Sequence, residues 1–215
     1  MVLENQRGNI DPLLSVIAER FSKISPNVLT WISLIFAFIA GLFFYFSSPE
    51  LESLNYYLFG AALFVFLNGL FDAIDGRVAK LVNKASKRGD FLDHAIDRYA
   101  DVFMVGGLAL SSWCDLRIGI LAIVGMLLTS YMGTQAQAIG HKREYSGLLG
   151  RADRLVFLMI SPIIQHILIQ YNFQMPLGFS LLEWVLIYFA VMGNITAVQR
   201  FYSTLKCFKT NPKGK

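Results

Sequence analysis

Six stretches of this chain, at about 27–48, 54–80, 90–112, 117–139, 153–171 and 179–205, are long and apolar enough to cross a lipid bilayer. A hydrocarbon span needs roughly 20 such residues as a helix. The composition agrees: 55% of the 215 residues are hydrophobic and the mean hydropathy is +0.50, unusual for a soluble domain. The expected fold is therefore all-α, an integral membrane protein of six transmembrane helices. An amphipathic stretch at about 11–24 precedes them, with Leu13, Leu14, Ile17 and Phe21 at helical spacing and Glu19, Arg20 and Lys23 between. That pattern suits a helix lying on the membrane surface. Pro26 stands where the first span begins, a favoured helix-start position. The first 25 residues carry charges and no continuous apolar core, so no signal peptide is expected. Nor is any segment long enough to separate two domains. Residues 1–215 read as one domain: an interfacial helix at 11–24, a six-helix bundle at 27–205 and a basic tail at 206–215.

Charge sets the expected orientation. With the amino terminus inside, the inner segments hold Lys80, Lys84, Lys87, Arg88, Lys142, Arg143, Arg151, Arg154, Lys206, Lys209, Lys213 and Lys215. The outer loops, near 49–53, 113–117 and 172–178, hold Arg117 as their one basic residue, beside Glu50, Glu52 and Asp115. Cytoplasmic loops of membrane proteins are rich in Lys and Arg, so this asymmetry puts both termini in the cytoplasm. The net charge of +4 then reflects topology and anionic membrane lipids, and no nucleic-acid partner is expected. Cys114 and Cys207 fall on opposite sides of the membrane and cannot pair.

Four carboxylates carry the chemistry. Asp72-Ala-Ile-Asp75-Gly76-Arg-Val-Ala79-Lys80 is followed, after eight residues, by Gly89-Asp-Phe-Leu-Asp93-His-Ala-Ile-Asp97. Residues three or four apart share a helix face, so Asp72 and Asp75 point one way from one helix, and Asp93 and Asp97 one way from the next. Acids at membrane depth are costly unless compensated, which makes a functional reading the default. With no basic residue among them, the expected remedy is a divalent cation, two such ions in all. Oxygen ligands suit magnesium, manganese or calcium rather than zinc. At ~1.5 Å per residue, Asp97 lies about two turns inside the inner interface, within reach of soluble substrates and lipid headgroups. Asp101 continues the stripe one turn deeper and is assigned an outer-shell hydrogen bond, with Arg98 or a neighbouring helix, but no ligand role. A divalent-cation transporter is the alternative from another class. It would need polar groups continuing across the membrane, whereas these acids cluster at one side.

This pattern resembles the signature of the CDP-alcohol phosphotransferase family, D-x2-D-G-x2-A-R-x8-G-x3-D-x3-D. One fixed position departs: Lys80 stands where the family has Arg. The resemblance extends to chain length and helix number, and it implies the following. A CDP-lipid and a polar alcohol are the substrates, CMP is released, and two ions, Mg2+ or Mn2+, are held by Asp72, Asp75, Asp93 and Asp97. Asp97, last in the signature, is also the general base. The cytidine diphosphate lies over Asp72, Asp75, Gly76, Ala79, Lys80 and Gly89, where the glycines let backbone approach a ligand closely. Asn27 and Thr30 belong to a Pro-Asn-x-x-Thr segment seen in many members; helix capping is the competing role for both. Lys80 keeps the positive charge but loses the two-pronged grip of Arg on phosphate. A homodimer embedded in membrane lipid completes the expectation.

The acceptor alcohol is read from a second region. Arg151 and Arg154 share one face at the inner start of the fifth span, an arrangement that suits a phosphate group, with positive-inside anchoring as the alternative. Phosphatidylinositol-phosphate synthases of the family have a similar Arg-x-x-Arg after a glycine-containing loop. The resemblance thus favours inositol 1-phosphate, with glycerol phosphate or serine as alternatives. Gly133, Gln135 and Gln137 stand where those enzymes often carry basic residues. The segment Gly-Leu-Leu-Gly-Arg-Ala-Asp-Arg is similar to archaeal members, whose donor is CDP-archaeol rather than CDP-diacylglycerol. His94, His141 and His166 are expected to be structural or interfacial, and Arg200 either reaches the site or anchors its helix.

Overall fold

The computed structural model describes residues 7–50, 55–84, 86–140, 147–173 and 175–210. They form seven α-helices: α1 (Arg7–Phe21), α2 (Pro26–Phe46), α3 (Tyr56–Leu81), α4 (Lys87–Ala109), α5 (Leu116–Ala138), α6 (Arg151–Gln170) and α7 (Leu181–Thr210). A short 3-10 turn at Pro176–Gly178 precedes α7, and no strand occurs among the described residues. Five helices, α2, α3, α5, α6 and α7, are long and apolar enough to cross a membrane. The fourth helix of the chain departs from that expectation because Asp90, Asp93, Asp97, Arg98 and Asp101 crowd its first four turns. The amphipathic stretch at 11–24 is part of α1, which starts earlier, at Arg7, and ends at Phe21. Of its expected apolar stripe, the Leu13 side chain lies outside the described residues.

The bundle is assembled by a few pairings. α2 packs on α3 and α4, α6 on α3, and α5 chiefly on α7. The main core includes Phe44, Leu58, Met104, Leu108, Leu182 and Phe189, all at most 1% exposed. A smaller cluster of Ala18, Leu29, Ile74 and Val78 fastens α1 to the start of α2 and the end of α3. There the Arg77 guanidinium donates to Ser15 Oγ at 2.9 Å. Large apolar side chains such as Trp31, Phe38, Leu63, Phe66, Leu121 and Val198 face outward. A belt of that kind suits contact with lipid.

The two ends of the bundle are built differently. At one end, polar bonds between loops close it: the Trp113 indole donates to Ser47 Oγ at 2.7 Å, and Ser180 Oγ donates to the Trp113 carbonyl at 3.1 Å. At the other end meet the start of α2, the end of α3 and the starts of α4 and α6, and here the charged residues collect. Between the ends, α2 and α4 cross so closely that a methyl on Gly107 would strike the backbone of Gly41. Small residues at such crossings let helix backbones meet inside a membrane. Gly107→Leu is therefore expected to force α2 and α4 apart and destabilise the fold by ~1–3 kcal/mol, read as a lower thermal midpoint in detergent by intrinsic fluorescence. An unchanged midpoint would contradict the close crossing.

Candidate active site

Helix starts and ends bring the site together. The last turns of α3 carry Asp72, Asp75, Gly76, Ala79 and Lys80. A short turn follows, and α4 opens with a cap in which the Gly89 amide donates to Ser86 Oγ at 3.1 Å. Asp90, in this first turn, complements the helix dipole. Asp93, Asp97 and Asp101 then project at four-residue steps along one face of α4. Asn27 and Thr30 come from the first turns of α2, and Arg151 and Arg154 from the first turn of α6.

One carboxylate oxygen from each of Asp72, Asp75 and Asp93 lies within 4.8 Å of the other two. Asp75 is buried, and its Oδ2 accepts a 2.6 Å hydrogen bond from Thr30 Oγ1. Thr30 thus fixes an acid from a neighbouring helix as well as sitting at a helix start. Asp97 stands beside this trio and is joined to it through Arg151. The Arg151 Nη1 lies 2.6 Å from Asp72 Oδ2, and its Nη2 lies 2.8 Å from Asp97 Oδ1. The expectation that no basic residue stands among the acids is corrected here. Arg151 enters from a helix 79 positions further along the chain, a distance at which no local spacing reports a contact.

Asp101 is 2% exposed and holds a second arginine. Arg154 Nη2 donates to Asp101 Oδ2 at 2.6 Å, while Arg151 Nε and Arg98 Nη1 lie 3.5 and 3.8 Å from its two oxygens. Arg98 also approaches Asp97 at 3.5 Å. The outer-shell bond expected of Asp101 is present, with Arg154 rather than Arg98 as its tightest partner. Arg151 and Arg154 do share a face, but Arg154 is 3% exposed and already paired, whereas Arg151 lies nearer the mouth. In this cluster five carboxylates face three guanidinium groups, a formal surplus of two negative charges.

Of the other expected residues, Lys80 is exposed and Ala79 half-buried on α3. A methyl built on Gly76 would meet nothing within 4 Å, so that face is open. One on Gly89 would lie 3.8 Å from Asn27 Oδ1, which places Asn27 against the start of α4. The His94 ring nitrogen lies 2.7 Å from the Asp90 carbonyl, and His166 is buried against Phe59 with ring centres 4.7 Å apart. His141 lies outside the described residues. Arg200 donates to the Thr129 carbonyl of α5 at 2.7 Å. Asp72, Asp75 and Asp93, with Asp97 alongside, form an all-oxygen donor set in a surplus of negative charge, and the open face over Gly76 leaves room for a bulky anionic ligand. These features fit a divalent cation.

The model of a family described as CDP-alcohol phosphatidyltransferase matches residues 23–196. The chain belongs to this family. It is an enzyme of phospholipid biosynthesis, a transferase of substituted phosphate groups in a multi-pass membrane protein, and the transporter alternative falls away. An archaetidylinositol phosphate synthase of Pyrococcus horikoshii is 27% identical over 205 residues, 93% of this chain and 96% of that one. A phosphatidylinositol phosphate synthase of Cutibacterium acnes is 27% identical over 212 residues, covering 93% and 95% of the two chains. The crystal structure of a Mycobacterium tuberculosis phosphatidylinositol phosphate synthase with CDP-DAG bound matches with a TM-score of 0.70 at 23% identity, over 90% of this chain and 94% of that one. That likeness shows the shared fold.

Within this phosphatidyltransferase the Asp101–Arg154 pair is fully buried, so removing one partner strands the other. Asp101→Asn is expected to lower stability by ~3–5 kcal/mol, measured by thermal unfolding in detergent. The double variant with Arg154→Met should recover a substantial part of it. A single variant as stable as wild type would show that the pair carries no such role.

Proposed function

We propose that this transferase moves a phosphatidyl or archaetidyl group from a CDP-lipid, CDP-diacylglycerol or CDP-archaeol, to a hydroxyl of inositol 1-phosphate, releasing CMP. The observation that carries the reaction is the convergence of Asp72, Asp75 and Asp93 from two helices, with Asp97 beside them. The acceptor rests on two supports. Relatives covering nearly all of the chain are named archaetidylinositol and phosphatidylinositol phosphate synthases, and Arg151 stands at the site mouth where a phosphate would need a cation. Glycerol phosphate is the second reading. Serine is the third, and Gly133, Gln135 and Gln137, which put no positive charge on that part of α5, are the residues that depart from the inositol-phosphate pattern.

In this reading Asp72, Asp75 and Asp93 hold two divalent ions, Mg2+ or Mn2+, with Asp97 sharing one. When bound, the ions neutralise the diphosphate and stabilise CMP as a leaving group. The charges are consistent: two ions bring four positive charges, against the site's surplus of two negative and the two carried by a diphosphate diester. The residues do the rest. Gly76, Ala79 and Gly89 leave room for the nucleotide, Asn27 and Thr30 line its α2 side, and Lys80 adds a positive charge toward the diphosphate. Arg151 meets the acceptor phosphate, and Arg154, in the grip of Asp101, adds positive potential behind it. The acceptor oxygen attacks the phosphorus on the lipid side while Asp97 takes its proton. The bond from that phosphorus to the CMP oxygen breaks, and CMP leaves with the electron pair.

The membrane arrangement is part of the same proposal. α4 serves as the sixth span, because it runs parallel to α2 from the same end of the bundle, with Gly89 beside Asn27 and Gly107 against Gly41, and its charges lie together in its first turns. α1 lies along the inner surface, and the site faces the cytoplasm in a single-domain protein that assembles as a homodimer.

Turnover should be followed as CMP release from a CDP-lipid in detergent, with inositol phosphate, glycerol phosphate, serine and inositol offered side by side. Asp75→Asn, Asp93→Asn and excess EDTA should each abolish it, and full activity under any of the three would sink the metal model. Asp97→Asn should lower kcat by ~10²–10⁴-fold while CDP-lipid still binds; loss of binding instead would make Asp97 a ligand and not the base.

Orientation is tested separately. In a chain whose two native cysteines are replaced by serine, Pro49→Cys should react with an impermeant maleimide on intact cells. Lys84→Cys should react only after the inner face is opened. The reverse pattern would place the site outside.

A further inference from the structure

Arg151 follows directly on a turn, Gly147-Leu148-Leu149-Gly150, and the way this turn is held singles out a residue on another helix. Gly147 has φ +131°, a conformation that side chains rarely adopt, and a methyl there would run into Thr196 Cγ2. Thr196 is fully buried in α7. Its Oγ1 accepts from the amides of both Leu148 and Leu149, each at 3.2 Å. The next amide, of Gly150, donates to Asp153 Oδ2 at 3.0 Å, and the Gly150 carbonyl accepts from Arg154 N at 3.2 Å. Three successive amides before α6 are thus all satisfied by side chains, two of them by one hydroxyl. Helix starts leave such amides without partners of their own. α7 is itself fixed at this level, since Thr129 Oγ1 donates to the Gly193 carbonyl at 2.8 Å and Arg200 donates to the Thr129 carbonyl at 2.7 Å.

We infer that Thr196 is a positioning residue for the acceptor site: by holding the Gly147–Gly150 turn it sets where α6 begins and so where the Arg151 guanidinium lies relative to Asp72 and Asp97. This deepens the reading of Arg151 as the acceptor's phosphate ligand and rests on it. The apolar packing of α6 on α3 does not depend on the hydroxyl. Its loss should therefore shift the entry turn and leave the bundle intact. The carboxylates of α3 and α4 and the Thr30–Asp75 bond are held by their own helices, and no hydrogen bond of Leu148, Leu149 or Gly150 reaches them among the described residues, so the CDP-lipid side should be unaffected.

The test compares Thr196→Val, which keeps the shape and removes the acceptor oxygen, with Thr196→Ser, which keeps the oxygen. Initial rates are measured in detergent against inositol 1-phosphate at saturating CDP-lipid, and then the converse. Amide hydrogen exchange is followed across 147–150. The Val variant should raise the acceptor KM on the order of 10-fold, the scale of a lost hydrogen bond, and leave the CDP-lipid KM unchanged. Exchange at Leu148 and Leu149 should accelerate, and the Ser variant should restore both. A Val variant with wild-type acceptor KM, or one in which both KM values rise together and Ser restores neither, would overturn the inference. If Thr196→Val does not fold, Gly147→Ala tests the same contact from the other side. It should give the same split between the two KM values, and a wild-type acceptor KM in it would count against the proposal. Arg151→Ala in the same assay judges the phosphate reading by itself: an unchanged acceptor KM there removes that reading, while the Thr196 inference is still decided by its own variants.

Discussion

Opposite charges share one end of this bundle, and much of the remaining structure follows from that. Arg151 and Arg154 reach in from α6, and Asp72, Asp97 and Asp101 reach out from α3 and α4 to meet them. A charged group withdrawn from water is tolerated only with a partner. The Asp101–Arg154 pair shows that rule in its strict form, for both side chains are almost completely buried. Nearer the mouth the rule is relaxed. Arg151 is shared among three acids, Asp72, Asp97 and Asp101, Asp93 has no guanidinium within ion-pair distance among the described residues, and the acids remain in excess. A gradient from full compensation inside to incomplete compensation at the mouth is what a site that takes up cations would need. A purely structural cluster would gain nothing from it.

Most of the architecture was legible because lipid imposes a simple code. Apolar runs gave α2, α3, α5 and α6 with ends within a few residues, and Pro26 marked the start of α2. α4 was legible as a helix from its length, but its acids obscure its apolar character, so composition alone does not qualify it as a span. Asp72, Asp75 and Asp93 could be brought together from spacing, since two helices joined by a short turn must place their adjoining ends side by side. What the sequence could not show was contact between distant helices. Nothing near Arg151 says that it enters the acid cluster, and nothing in Asn194-Ile-Thr196-Ala says that one hydroxyl of α7 holds the turn before α6. Asp101 was visible as a fourth step in the α4 stripe, but its partner was not. Arg154 looked available for phosphate because sequence reports which face a side chain occupies and is silent about whether its charge is already engaged.

The two ends of the bundle divide the work. At the end away from the acids, neutral bonds among Ser47, Trp113 and Ser180 tie three connections together. Neutral hydrogen bonds are net stabilising by roughly 1 kcal/mol each and need no counter-ion. At the acid end the fastening is ionic, and its geometry can respond to a ligand's charge. On the proposed reading, an arriving cation competes with Arg151 for Asp72 and Asp97, and an arriving phosphate competes with those acids for Arg151. The bonds of Thr30 to Asp75 and of Thr196 to the entry turn involve neither Arg151 nor Asp72 and Asp97, and stand outside that competition. On the proposed reading these two threonines hold the frame on the donor side and the acceptor side respectively, while the charged groups between them are left to rearrange around substrate.

Lys80 sharpens the same division. Its ammonium is exposed at the end of α3 and stands outside the buried ion-pair network. On the proposed reading, a flexible point charge at that place contributes attraction to a diphosphate and little geometry, whereas a guanidinium would contribute both. The orientation that an arginine would supply would then come from the proposed ligands on the rigid face: Asp72 and Asp75, one turn apart on a continuous helix, with Asp75 fixed by Thr30. A site organised this way depends more heavily on the placement of its carboxylates than on any one cation. That places the burden of precision on α3 and on the helices α2 and α6 that clasp it.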